Sequence, residues 1–217
     1  AAVLAAAMQR GGGGGLAAAM DAVLPLQASR VDLSGFDFGN DDGVMVGTVV
    51  AWMESEPSAL TSLTLDWGKV CGRVREALLG VVRKTRTLVA LNVGEEGAMT
   101  LNPLQLNGRE AVPSLDLSSD KLGPGSAAVV AAGLSVNEVL TNLVLKSKLI
   151  GNEGAAALAS ALRVNGVLTK LNLDGHKLDL PKLRGTDPVA SLDLSSKDLG
   201  PASSIVIASL IAGNAVL

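Results

Sequence analysis

Residues 141–168, TNLVLKSKLIGNEGAAALASALRVNGVL, decide the fold. Leucines first recur at every second position, at Leu143 and Leu145, which predicts a short strand with both leucines on one side. Gly151 marks a turn, and the apolar spacing that follows is helical. Asn165 then closes the unit, since asparagine tolerates the left-handed conformation that ends a helix. The stretch therefore predicts strand, turn, helix and turn.

The same pattern recurs along the chain at a fixed stride. Leu115, Leu143 and Leu171 are successively 28 residues apart, and further units begin near residues 61 and 191. Such a unit has nothing to bury its apolar stripe against except its neighbours. Stacking must therefore supply the core, and the strands must line up as a parallel sheet.

Two intervals are too short for a full helix. Leu91 to Leu115 is 24 residues and Leu171 to Leu192 is 21 residues, and both intervals contain prolines. We expect a helix-poor repeat in each. The same SLDLSS sequence follows both, which indicates that a larger module of about 80 residues is duplicated.

The pattern resembles the leucine-rich repeat family, whose L-x-x-L-x-L-x-x-N-x-L motif matches Leu140, Leu143, Leu145 and Ile150. The 28-residue spacing resembles the ribonuclease-inhibitor-like subclass. The resemblance implies an α/β solenoid over residues 31–217, with about seven strands in a curved parallel sheet on the concave face and helices on the convex face. Residues 1–30, rich in Ala and Gly, form an N-terminal segment or cap in this interpretation.

One departure concerns the family's asparagine, whose side chain bonds the backbone of adjacent turns in a ladder. Other residues replace it here, so we expect that ladder to be largely absent. The replacements are Gly68, Glu96, Asp120, Lys148, His176 and Lys197.

Composition excludes several function classes. Of the 217 residues, 48% are hydrophobic but only 2% are aromatic, so the core must be built from Leu, Val, Ile and Ala. One Cys and one His exclude an intramolecular disulfide and multi-thiolate or paired-imidazole metal sites. A net charge of −3 argues against a nucleic-acid or anionic-membrane surface. No apolar stretch reaches the roughly 18 to 20 residues that cross a bilayer.

Candidate catalytic groups are few. His176 is the only plausible general base, and Ser195 or Ser118 with Asp174 or Asp193 would complete a triad. A solvated or backbone-bonded histidine is the favoured interpretation, because His176 falls on the ladder position. We interpret Cys71 as a structural thiol and the basic cluster between Arg73 and Arg86 as a solvated face. The glycine run at 11–15 is interpreted as a hinge. We expect no enzyme activity, cofactor or metal.

A partner-binding surface follows from the strand pattern. In x-L-x-L-x the leucines face the core, so the intervening residues line the concave surface. Trp67 is added because tryptophan is enriched at binding hot spots. The predicted partner-binding residues are Asp32, Thr64, Asp66, Trp67, Asn92, Asp116, Lys146, Lys170, Asn172, Asp174 and Asp193.

These residues predict a non-enzymatic protein–protein interaction module, either a scaffold or a structural subunit of a larger assembly. The expected partner is a basic extended segment or a neighbouring subunit. The alternative is a ligand-sensing or autoinhibitory arm of a larger receptor. The single cysteine and the lack of Asn-x-Ser/Thr favour an intracellular, cytoplasmic location, with organelle targeting by a removed N-terminal segment left open.

The C-terminal end carries one further expectation. Leu217 closes a unit, so Leu210, Ile211 and Val216 are expected to face water unless more chain or a partner covers them.

Overall fold

The computed structural model describes residues 29–35, 37–38, 44–55, 59–94, 99–118, 122–145, 149–173, 175–195 and 199–215. The N-terminal cap expected over residues 1–30 lies outside them except for its last two residues. The chain divides into two compact units. The first comprises Ala1–Glu96 with Thr100–Leu104, and the second comprises Gly97–Met99 with Gln105–Leu217.

The first unit contains a parallel sheet with the strand order β1-β2-β3. Its strands are β1 (Arg30–Asp32), β2 (Ser62–Thr64) and β3 (Ala90–Asn92). Its helices are α1 (Val44–Glu54), the 3-10 helix Trp67–Lys69 and α2 (Gly72–Lys84). Val31, Leu63 and Leu91 occupy matching positions on neighbouring strands and are buried. The sheet thus buries one apolar residue per strand in a continuous row.

The second unit contains a four-stranded sheet with the order β4-β5-β6-β7. Its strands are β4 (Ser114–Leu117), β5 (Asn142–Leu145), β6 (Lys170–Leu173) and β7 (His176–Asp179). Its helices are α4 (Pro124–Leu134), α5 (Gly151–Val164), α6 (Leu180–Arg184) and α7 (Pro201–Ile211). The short helix α3 (Pro103–Leu106) has residues in both units. The protein is therefore a mixed α/β chain with parallel strands and helices.

The 28-residue stride is visible in the pairing. Leu115 pairs with Leu143, and Leu143 pairs with Leu171, so equivalent residues of successive units lie side by side. Helix α4 packs on α5, and α5 packs on α7. Every residue of α4 from Gly125 to Leu134 is buried, as its nearly all-apolar sequence predicts. The order of strand followed by helix predicted for residues 114–168 is confirmed in the part of this range that is described.

The predicted seventh strand is wrong. Ser191–Leu194 forms no strand, and Leu192 and Leu194 are only half-buried. Instead β7 pairs antiparallel with β6, with Leu173 opposite His176. Gly175 has a φ of +89°, which reverses the chain directly after β6. The described strands also form two sheets rather than the single sheet expected, and Leu91 of β3 meets Leu101 in an antiparallel bridge.

In the second compact unit, asparagine side chains join successive repeats. The Asn165 amide donates to the carbonyls of Leu134 (2.7 Å) and Asn137 (2.8 Å), and its oxygen accepts from Leu168 N–H (2.8 Å). Asn165 has a φ of −80° and is extended, so the left-handed helix end predicted for it is wrong. A ladder of the kind expected to be missing is therefore present, but at the turn after the helix.

The exposure expected at the C-terminal end is wrong for Leu210, which is 3% exposed. Ile211 is half-buried, and Val216 lies outside the described residues. Leu210 is covered because α7 packs along α5 and α6. In the part of the chain that is described, no helix has both the length and the apolar character needed to cross a membrane.

Candidate functional site

The outward face of the second sheet is polar, because alternate residues of each strand point away from the leucine core. Leu143, Leu171 and Leu178 are buried on the inner side. The pairing register aligns the outward residues in two rows across the sheet. One row is Ser114, Asn142, Lys170 and Asp179, and the other is Asp116, Val144, Asn172 and Lys177.

A groove of about 600 Å³ lies over strands β5, β6 and β7. Its outward-pointing lining residues are Asn142, Val144, Lys170, Asn172, Lys177 and Asp179. The hydroxyl of Thr169 also lines the groove and donates to the Thr141 carbonyl at 3.1 Å. The hydroxyl of Thr141 donates in turn to Pro113, at 2.9 Å. These hydrogen bonds connect the segments that directly precede strands β4, β5 and β6. Residues of neighbouring repeats therefore fix the floor of the groove.

Two lysines supply the groove's positive charge. Lys170 and Lys177 are both exposed. Among the residues that the structure describes, no ion pair joins either lysine to a carboxylate. Asp179 lies opposite Lys170 in the register, but its carboxylate is 3.7 Å from the Lys182 ammonium. The described charged residues of the groove lining are therefore two lysines and one aspartate, with Lys182 next to that aspartate.

Two asparagine amides line the middle of the groove. The Asn142 amide donates to the Ser114 hydroxyl at 2.8 Å. The Asn172 carbonyl oxygen is covered and has no hydrogen-bond partner among the described residues. A covered acceptor without a donor costs about 1–3 kcal/mol. A molecule in the groove would reach this covered oxygen only after the Asn172 amide turned outward.

The predicted aspartates have a local structural role that the sequence analysis missed. One carboxylate oxygen of Asp116 accepts the Ser118 N–H at 2.9 Å, two residues further along the chain. Asp32 and Asp193 make the same bond to Ser34 (3.0 Å) and Ser195 (2.9 Å). These are Asx turns at strand ends or at the equivalent position. The signal was present as Asp followed at the second position by Ser.

Asn92 and Asp66 belong to the same group, with a glycine in place of the serine. The Asn92 oxygen accepts Gly94 N–H at 3.1 Å, and Asp66 accepts Gly68 N–H at 2.9 Å. Asp66 also forms a 3.0 Å ion pair with Lys69. The acidic stripe predicted along the array is therefore made largely of carboxylates that are already engaged in turns.

Trp67 is half-buried beside Arg75 in the first unit. The Arg75 guanidinium carbon lies 4.8 Å from the centre of the indole ring, and its Nη2 donates to the Trp67 carbonyl at 3.0 Å. The indole N–H is covered and has no acceptor in the described part of the chain. This stacking holds the ring against its own unit. Thr64 is an outward residue of β2, in register with Asp32 and Asn92.

The predicted site residues thus separate into several groups. Asp116, Lys170 and Asn172 share the outward face of the second sheet, whereas Asp193 lies on the segment that forms no strand. Lys146 and Asp174 lie outside the described residues. Lys177 and Asp179 were not predicted from the sequence, because strand β7 was not expected. The Asp-Gly pair at 174–175 was the available signal, since it favours two-residue hairpins.

The candidates for chemistry occupy structural positions. His176 begins β7 opposite Leu173, on the leucine side of the sheet. Cys71 is buried directly before α2. The described residues contain no group of three or more His, Cys, Asp or Glu that would hold a metal ion.

Arg184 closes the end of a neighbouring helix. Its guanidinium donates to the carbonyls of Leu162 and Leu168, each at 2.9 Å. Burial lowers the pKa of the Arg184 guanidinium, because water no longer surrounds the charge. Carbonyls near the end of α5 gain a donor, which makes this arginine part of the scaffold.

Comparisons with known proteins identify no family. No family model matches the chain, and no curated protein matches it. Among solved structures, one similar chain is described as the leiomodin-1 actin-binding site 2, with 14% sequence identity. The alignment covers 90% of this chain and 85% of that chain at a TM-score of 0.35. A likeness at that level carries no argument about this protein.

Proposed function

We propose that this chain is a leucine-rich repeat protein of the ribonuclease-inhibitor-like type, which binds another protein without catalysing a reaction. Binding occurs on the outward strand face, above all in the groove over β5, β6 and β7. The observation that carries the proposal is this groove of about 600 Å³, whose outward side chains are polar and charged. The proposed role is that of an interaction module or scaffold.

The repeat assignment is supported by three repeated features. Strand residues pair at an offset of 28, as Leu115 does with Leu143. Leu143 and Leu171 at these positions are buried, and the Asn165 side chain bridges successive turns. Each feature connects a unit only to its neighbours, as stacking repeats require.

The binding role is supported by the size and chemistry of the groove. Three adjacent strands span about 10 Å between the outer two, which is enough for one extended segment to lie across them. Asn142 and Asn172 offer both donors and acceptors, while Val144 adds an apolar contact. Such a surface suits recognition by several modest contacts, since the strands hold the side chains at fixed spacing.

A test compares two double variants that each introduce two tyrosines and no charge. Asn142→Tyr with Asn172→Tyr fills the groove, whereas Asn152→Tyr with Ser160→Tyr alters exposed positions on α5. Proteins retained from a cell extract by the immobilised chain are compared by mass spectrometry, after circular dichroism shows that both variants fold. We expect a set of proteins retained by the wild type and the α5 variant but lost with the groove variant.

Retention of the same proteins by the groove variant would refute binding at this face. Equal loss with both double variants would also contradict the proposal, because the added tyrosines rather than their position would then explain the effect.

A further inference from the structure

We infer that the groove over β5, β6 and β7 binds an extended protein segment carrying an acidic side chain. This inference rests on the proposed function and names the chemistry of the partner. It differs from the basic segment that the aspartates in the sequence suggested. The difference arises from which charges face the groove and which are already engaged.

The two groove lysines are placed to share one carboxylate. Lys177 lies opposite Asn172, and Lys170 is two residues before Asn172 on the neighbouring strand. Diagonal neighbours of this kind have their Cβ atoms about 7–8 Å apart. Two lysine side chains at that separation reach a carboxylate held between them. No ion pair occupies either lysine within the described ranges.

Among the described residues, the carboxylates near this pair leave it with a net positive charge. Asp179 lines the groove opposite Lys170 and offsets one lysine charge, while Lys182, 3.7 Å from Asp179, adds a further positive charge beside the groove. Asp116 is in the row of Lys177 but three strands away, which is about 14 Å. That distance exceeds a Debye length of about 8–10 Å at moderate salt. Asp116 also accepts the Ser118 N–H within its own turn.

The remaining polar groups define the rest of the partner's chemistry. The Asn172 carbonyl oxygen has no donor in the described residues, and it lies between Val144 and Lys177 in the same row. A backbone N–H or hydroxyl next to the acidic residue would supply that donor once the amide turns toward it. An extended acidic segment offers both groups at once, because its side chains and backbone alternate along the strand.

The test uses three synthetic peptides of about ten residues, enough to cross the groove. Thr alternates with Glu in the first, with Gln in the second and with Lys in the third. Binding to the full chain is measured by fluorescence anisotropy. The groove variant Lys170→Glu with Lys177→Glu is compared with Arg109→Glu and Arg163→Glu, which make the same charge change at exposed positions away from the strands.

We expect the Glu peptide to bind about tenfold more tightly than the Gln and Lys peptides, and to weaken as salt rises. The groove variant should lose about tenfold in affinity for the Glu peptide, while the control variant stays within about twofold. Equal binding of the Glu and Gln peptides, or preference for Lys, would overturn the acidic inference but leave binding at this face intact. Equal loss in both variants would also overturn it. Failure of the proposed function itself would instead appear as unchanged retention by Asn142→Tyr with Asn172→Tyr.

Discussion

The sequence SLDLS occurs twice, at Ser114–Ser118 and at Ser191–Ser195, and it folds differently in the two places. The first copy contains β4, which pairs with β5 along its length. The second copy forms no strand. Both copies nevertheless make the same Asx bond, from Ser118 to Asp116 and from Ser195 to Asp193, each at 2.9 Å. The turn is local, whereas the strand requires a neighbour to pair with.

The chain segments on either side of the two SLDLS copies have the same local geometry. Gly108 has a φ of +81° and Gly185, which is 77 residues later, has a φ of +79°. Asn137 donates to the carbonyls of Gln105 and Leu106, and Asn214 donates to those of Lys182 and Leu183. The two modules therefore share turns and side-chain bridges and differ in strand pairing. Matched substitutions at equivalent positions test this difference.

The largest difference is expected at the second leucine of each copy. Leu117 is 6% exposed in β4, whereas Leu194 is half-buried. Leu117→Ala should lower the free energy of unfolding by about 2–5 kcal/mol, because it empties a packed site. Leu194→Ala should cost about 1 kcal/mol or less, because water already reaches that side chain. Urea unfolding of both variants measures this. Equal costs would mean that the second copy packs as β4 does.

The next effect concerns the asparagine bridges. Asn137 is 2% exposed, and its oxygen accepts the N–H groups of Val139 and Leu140, each at 2.8 Å. Asn137→Ala should cost about 2–3 kcal/mol, because covered backbone groups lose their partners. Asn214→Ala should cost about 1 kcal/mol, since its donor bonds are longer (3.1 and 3.2 Å) and it is half-exposed.

The readout for the asparagine pair is thermal or urea unfolding with Asn152→Ala as control, an exposed asparagine on α5. A smaller loss at Asn137 than at Asn214 would contradict the bridging role assigned to the buried residue.

The change from period two to helical spacing was enough to predict strands β2 to β6 and the long helices. Stacking at 28 residues followed because a unit cannot bury its leucines alone. The second SLDLS copy shows the limit of this reasoning, since Leu192 and Leu194 have the strand pattern without a strand partner. The apolar pattern shows which face of a segment would be buried, but pairing with a neighbouring strand decides whether a strand forms.

The candidate site was predicted in part. Asp116, Lys170 and Asn172 lie on the outward face as their alternation with leucines indicated. Lys177 and Asp179 were missed, because the sheet ends with a hairpin strand rather than another parallel unit. The Asx hydrogen bonds that the aspartates accept were not predicted either. Alternation gives the side of the sheet but not the hydrogen-bond partner of a short polar side chain.

The left-handed glycines Gly108 and Gly185, which occupy equivalent positions, should behave alike, in contrast to the strands. A Cβ at Gly108 would lie 3.1 Å from Asn137 Oδ1, and one at Gly185 would lie 2.6 Å from Asn214 Oδ1. Alanine at either position should cost about 1–2 kcal/mol, because a positive φ is strained for residues with a Cβ. Gly166→Ala is the control, since nothing lies within 4 Å of its Cβ position. A cost at Gly166 equal to that at Gly108 would exclude backbone strain as the cause.

The smallest effect is expected at the aspartates, and here the two copies should be equal. Asp116→Ala and Asp193→Ala each remove an exposed Asx bond, which should cost about 0.5–1 kcal/mol. Asn at either position should restore most of the loss, because its carbonyl oxygen can accept the same N–H. Urea unfolding of the four variants provides the comparison. A large cost confined to Asp116 would show that its carboxylate supports the pairing of β4 with β5, so that the turn and the strand are not independent.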